Sequence, residues 1–165
     1  MNFHKNLEQF DRSVILFLRK YADEISRFSL FVIFFWFGLL KLLMISPAGP
    51  LVIDLLNVTF LNFIDPDVFM QGFGLLEMLI GVMILVPKLE RVTFLVLLLH
   101  MVTTVMPLFL IPHVVWDGFL LPNLIGQYII KNLALVSLGL VLFARLRPMT
   151  ETHRVMAEEE KKFQS

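Results

Sequence analysis

Apolar residues run through this chain in four long stretches, and each is interrupted once by an ionisable side chain. The stretches are Phe28–Ser46, Met70–Val86, Val92–Ile111 and Leu124–Ala144; the interruptions are Lys41, Glu77, His100 and Lys131. A helix of about 20 residues crosses a hydrocarbon layer about 30 Å thick, so each stretch is predicted to be a transmembrane helix. The second is the shortest, and Pro66 and Pro87 bracket it. The expected fold class is therefore all-α: a polytopic membrane protein built on a four-transmembrane-helix bundle.

Ahead of the first span the pattern changes. Leu7, Phe10, Val14, Leu18, Tyr21 and Ile25 recur every three or four residues against a charged remainder that includes Arg12, Arg19 and Lys20. One apolar stripe against a charged remainder predicts an N-terminal amphipathic helix lying in the membrane interface, with the basic residues reaching lipid phosphates. A soluble helix packed on a partner subunit is the alternative. The chain then divides into an interfacial helix over 1–27, a membrane domain over 28–145 and a tail over 146–165, whose EEEKK run is expected to be solvated.

Two connections are unusually apolar. Pro47 and Pro50 stop the first span, and Leu51 to Phe60 carries only Asp54, Asn57 and Thr59 as polar residues. Such a segment is too short to cross and predicts an interfacial or re-entrant lid. Residues 112–123 resemble it, with Trp116 expected as an interface anchor.

Charge sets the orientation. Lys5, Arg12, Arg19, Lys20 and Arg27 precede the first span, Lys88 and Arg91 occupy the second connection, and Arg145, Arg147, Arg154, Lys161 and Lys162 follow the last. The first and third connections hold no Lys or Arg, only Asp54, Asp65, Asp67 and Asp117. The positive-inside rule places both termini in the cytoplasm. The lipid bilayer is the first partner implied.

Composition narrows the classes further. The 165 residues are 58% hydrophobic with 17 phenylalanines, too apolar for a water-facing surface of this size. The basic residues sit beside spans rather than along a groove-sized face, so nucleic acid is not an expected partner. There is no cysteine, which removes thiol exchange, thiolate metal sites and iron–sulfur ligation. No cleavable leader is expected, because the first apolar run follows about 27 charged-rich residues without a small-residue cleavage pattern.

The four intramembrane ionisable groups are the candidate chemistry. A charge at the bilayer centre costs about 2.5–3.5 kcal/mol on insertion scales, so four of them call for a reason. Counting about 1.5 Å per residue from the flanking basic residues puts Lys41 and Lys131 near 21 Å, Glu77 near 16 Å and His100 near 13 Å. They share one slab and are expected to meet inside the bundle. Their neighbours fit an inward face: Gly74 and Gly81 around Glu77, Thr103 and Thr104 one turn from His100, Gln127 and Asn132 beside Lys131, Gly38 beside Lys41. A kink is expected at Pro107. The candidate ligand-binding set is thus Lys41, Glu77, His100, Lys131, Gln127, Asn132, Thr103 and Thr104. Two lysines against one glutamate leave a positive excess that suits an anionic or carbonyl-bearing ligand. The alternative is a purely structural set of interhelical ties.

Other chemistries are weaker. Bis-histidine haem ligation lacks a second buried histidine, since His113 lies at the outer edge and His4 and His153 are cytoplasmic. Glu77 with His100 gives two metal ligands, short of a site. Phe34, Phe35 and Phe37 are read as lipid-facing or packing residues. Asn57-Val58-Thr59 matches a glycosylation sequon, relevant only in a eukaryotic secretory setting.

Three motifs in order, GLLK (38–41), GLLExxxG (74–81) and YIIKNLAL (128–135), resemble the DoxX-like membrane proteins over about residues 28–145. That resemblance implies a multi-pass protein of the prokaryotic cytoplasmic membrane with a four-helix core. Proteins of this kind have been tied to thiosulfate:quinone oxidoreductase, to oxidative-stress complexes and to reactive-chlorine resistance. It implies a quinone as candidate cofactor, with Lys41, Glu77, Lys131 and Asn132 on the resembling motifs. Catalytic residues are not assigned. The chain shows no electron carrier of its own, so a redox role would need a partner subunit. A non-enzymatic binder, transporter or scaffold, alone or as a homo-oligomer, is the other expectation.

Overall fold

The computed structural model describes residues 2–146 and 148. The chain is mainly helical, and four helices are long and apolar enough to cross a membrane. They are α1 (Asn2–Leu42), α3 (Pro66–Ile84), α4 (Glu90–Val105) taken with its flanking turns over Pro87–Leu110, and α7 (Leu124–Ala144). Between them lie α2 (Gly49–Asn57), α5 (Pro107–Leu110), α6 (Pro112–Val115) and a two-residue-deep ribbon of β1 (Trp116–Gly118) and β2 (Leu121–Pro122). A single 3₁₀ turn at Pro87–Leu89 joins α3 to α4. We call the end holding this turn basal and the end holding α2 and the ribbon apical.

The separate interfacial helix expected over the N-terminal 27 residues is not separate. α1 runs without interruption from Asn2 to Leu42, because residues 2–37 contain neither glycine nor proline to break it. At 41 residues it is about 60 Å long, twice the hydrocarbon thickness. Three contacts fix where the other helices end against it. Arg27 pairs with Glu90 at the start of α4 and donates to the Ile84 carbonyl at the end of α3, 3.1 Å away. Asp23 pairs with Arg145 at the end of α7. Residues 2–22 therefore stand beyond the basal end of the bundle, with Leu7, Phe10, Val14 and Leu18 exposed. The tail over 149–165 lies outside the described residues.

The core forms where four faces converge. Met70, Gly74, Glu77, Gly81 and Ile84 are spaced by four and three, and all are buried on α3. Leu30, Phe34 and Gly38 form the matching stripe of α1, and Thr93, Leu97 and His100 that of α4. α1 and α3 approach most closely. A Cβ added to Gly38 would lie 2.5 Å from the Gly74 carbonyl oxygen, and one added to Gly74 would lie 2.6 Å from that of Gly38. Such mutual backbone contact is what small residues provide between membrane helices. α7 packs chiefly on α4, with Gly139 under Leu97 and Phe143 stacked on Phe94 at 4.1 Å.

The apical connections are helical and hairpin-like rather than plain loops. α1 ends in a Schellman cap: Ile45 N donates to Leu40 O and Met44 N to Lys41 O, with Met44 at φ 58°. The greasy first connection folds as α2 and buries Leu56. The break expected at Pro107 divides α4 from α5. Pro112 has no N–H, so the Leu108 carbonyl loses its helical donor, and the indole of Trp116 donates to it instead at 3.1 Å. Trp116 thus closes a chain break as well as sitting near the expected interface. Asn123 caps α7, accepting from Gly126 N and donating to Val114 O at 2.8 Å.

Candidate functional site

Lys41, Glu77 and His100 come together; Lys131 does not. Helix direction explains both outcomes. Side chains lean toward the N-terminus of their own helix. Lys41 on α1 therefore leans basally, while Glu77 on the antiparallel α3 leans apically, and the two stems meet between the GLLK and GLLExxxG motifs. The Lys41 ammonium lies 2.5 Å from Oε2 of Glu77. His100 Nε2 on α4 approaches Oε1 of the same carboxylate to 3.3 Å. One carboxylate thus bridges three helices.

Lys131 leans apically with α7, away from this layer. It is exposed, with Nζ 3.9 Å from the centroid of the Tyr128 ring. A count along the sequence carries no information on azimuth or stem direction. Gln127 is also exposed and donates to Pro122 O at 3.2 Å. Asn132 is half-buried on the same helix. Thr103 and Thr104 return their hydroxyls to their own helix, donating to His100 O at 2.7 Å and Met101 O at 2.9 Å. The expected eight-residue set therefore reduces to three that converge, with the positive excess located elsewhere.

The environment of the three is dry and aromatic. Glu77 and His100 are buried, and the Lys41 side chain is 11% exposed. Phe73 lies 4.7 Å from the imidazole, tilted by 31°, and Phe34 meets it edge-on at 5.6 Å. The Lys41 ammonium also faces the Phe73 ring at 5.8 Å. Phe34 is thus the packing residue expected, while Phe37 is exposed. Sequence reading missed Phe73, although its position four residues before Glu77 puts it one turn away on the same face.

His100 carries the one unresolved polar atom of the site. Among the described residues, Nδ1 is the buried side-chain nitrogen or oxygen without a hydrogen-bond partner. A carboxylate only accepts, so the approach of Nε2 to Glu77 assigns the ring proton to Nε2 and leaves Nδ1 as a lone-pair acceptor in the neutral imidazole. A buried acceptor left unpaired costs about 1–3 kcal/mol, so this atom suits a ligand that brings a hydroxyl. Among the described residues no group of three His, Cys, Asp or Glu side chains could hold a metal ion.

A small space lies at the basal end, lined by Arg27, Glu90, Thr93, Leu97, Gly139 and Phe143. It sits under the Arg27–Glu90 pair, whose role is to fasten α1 to α4. No protein-family model, no curated protein and no solved structure matches this chain.

Proposed function

We propose that this is a four-span protein of a prokaryotic cytoplasmic membrane whose Lys41–Glu77–His100 cluster binds a quinone-class head group from the bilayer, as the membrane subunit of a redox assembly. The observation that carries the reading is the orphaned Nδ1 of His100, held at membrane depth between two phenyl rings. Residues and group fit one another: Nδ1 accepts from a ring hydroxyl, Phe73 and Phe34 offer faces and edges to a planar head, and Lys41 supplies N–H donors beyond the one on Glu77. Glu77 accepts from Nε2 of the imidazole and from the Lys41 ammonium, and so holds both groups in orientation toward the head group. A bound quinone–quinol couple would supply two-electron chemistry there, and a partner subunit would exchange those electrons with it. The DoxX-like motifs support the same reading, because the lysine of GLLK and the glutamate of GLLExxxG are the two that pair. The distribution of Lys and Arg supports cytoplasmic termini.

The test is quinone retention. Protein extracted in mild detergent is expected to carry about one quinone per chain by mass spectrometry. His100→Phe is expected to lose it while unfolding at an unchanged temperature. Wild-type protein without quinone, or a His100→Phe variant that keeps it, sinks the reading.

A second reading has its own observation. Lys41 and Glu77 flank the Gly38–Gly74 contact, where the backbones touch. A pair placed there also acts as a tie that fixes the register of α1 on α3, as in a scaffold or binding protein without redox chemistry. Lys41→Met protein that keeps its quinone but unfolds more readily would favour the tie.

A further inference from the structure

The cluster leaves Lys131 unused, and among the described residues nothing balances its charge. Lys41 is partnered and largely covered; Lys131 is exposed on a helix that faces lipid along most of its length. Its ammonium rests on the Tyr128 ring, and among the described residues no carboxylate lies within ion-pair distance of it. Beside it opens a groove of about 350 Å³ lined by Pro122, Leu124, Gln127, Tyr128, Ile130 and Lys131. An ammonium facing hydrocarbon is costly, so this position implies a counter-charge from outside the chain.

Its position selects the source. Lys131 is seven residues from the apical start of α7, about 10 Å along the axis. Its stem leans further toward that end, and a lysine stem lies along apolar surface while its head reaches polar groups. The layer it reaches is that of the lipid phosphates. A second copy of this chain offers no match. Between residues 28 and 144 the acids are Asp54, Asp65, Asp67, Glu77, Glu90 and Asp117. Glu77 is taken by Lys41 and Glu90 by Arg27, and the four aspartates belong to the apical connections or the first turn of α3. None lies on α7 or lines the groove, so a second copy meeting this face brings no carboxylate to it.

We infer that this groove is a binding site for the phosphate of an anionic phospholipid in the apical leaflet. The Lys131 ammonium pairs with the phosphate, and the Tyr128 ring holds the ammonium in place from the other side. Leu124 and Ile130 lie along the acyl chains. The inference rests on the chain spanning a bilayer and not on the quinone reading, so either can fail alone.

The test uses the full-length protein in nanodiscs of mixed phosphatidylglycerol and phosphatidylcholine, read by native mass spectrometry of retained lipid. Wild type is expected to keep one phosphatidylglycerol with about a fivefold preference, the ratio for roughly 1 kcal/mol per basic residue near a charged membrane surface. Lys131→Arg should keep that preference and Lys131→Met should abolish it. Lys131→Gln repeats the loss with an uncharged polar side chain, so that a folding defect in the methionine variant does not decide the matter. Equal retention of the two lipids by wild type, or unchanged preference in the Met and Gln variants, overturns the inference. So does displacement of the retained lipid by soluble glycerol phosphate, which would make this a site for free phosphate.

Discussion

Glu77 accepts from an ammonium and faces an imidazole while buried, so its removal leaves two groups without their acceptor. Truncating one partner of a buried pair typically costs about 3–5 kcal/mol, most of it the penalty on the charge left behind. Glu77→Leu is therefore expected to destabilise the protein more than the double variant Lys41→Met with Glu77→Leu, in which no charge is stranded. Thermal unfolding in detergent checks the order; equal losses would mean that Lys41 reaches solvent when its partner is removed. The three members of this cluster were legible as charges in hydrocarbon, and their pairing followed from opposed helix directions. Lys131 was equally legible as a charge and wrongly placed, because residue counting gives height and says nothing about which way a stem leans. Phe73 escaped notice because one more phenylalanine among 17 carries no signal until its neighbour is known.

The helices show which sequence signals survive folding. Proline marked the break between α4 and α5, and glycine at small-residue spacing marked the face of α3. The ribbon of β1 and β2 was not expected, since five residues are too few to show a period of two. Its cause is local: Pro112 strips a donor from Leu108, Trp116 replaces it, and the chain is held extended up to the Asn123 cap. The α1–α3 contact belongs to this scale as well. Gly38→Ala would push a methyl group against Gly74 O, Met78 N and the Glu77 Cβ. Neither helix can yield without separating, so a loss of about 1–3 kcal/mol is expected, as for other overpacked contacts. Gly72→Ala on α3 meets nothing within 4 Å and serves as the control, with little change in unfolding temperature.

At the scale of the whole molecule, the basic residues gather at one end and the acidic connections at the other. Orientation is directly testable because the chain has no cysteine. A single Ser13→Cys is expected to react with an impermeant maleimide only after whole cells are permeabilised, and Asn62→Cys to react before. The reverse pattern would invert the topology. The boundary at which α1 leaves the bundle was misjudged in kind, since an amphipathic stripe looks the same whether a helix lies flat or continues a span. That continuity has a mechanical consequence. Residues 2–22 and Lys41 belong to one continuous helix with no proline or cap between them. The helix turns by about 100° per residue without a break, so the projecting half and Lys41 share one axis and one phase. Whatever grips Phe10 holds the same helix that offers an ammonium to Glu77.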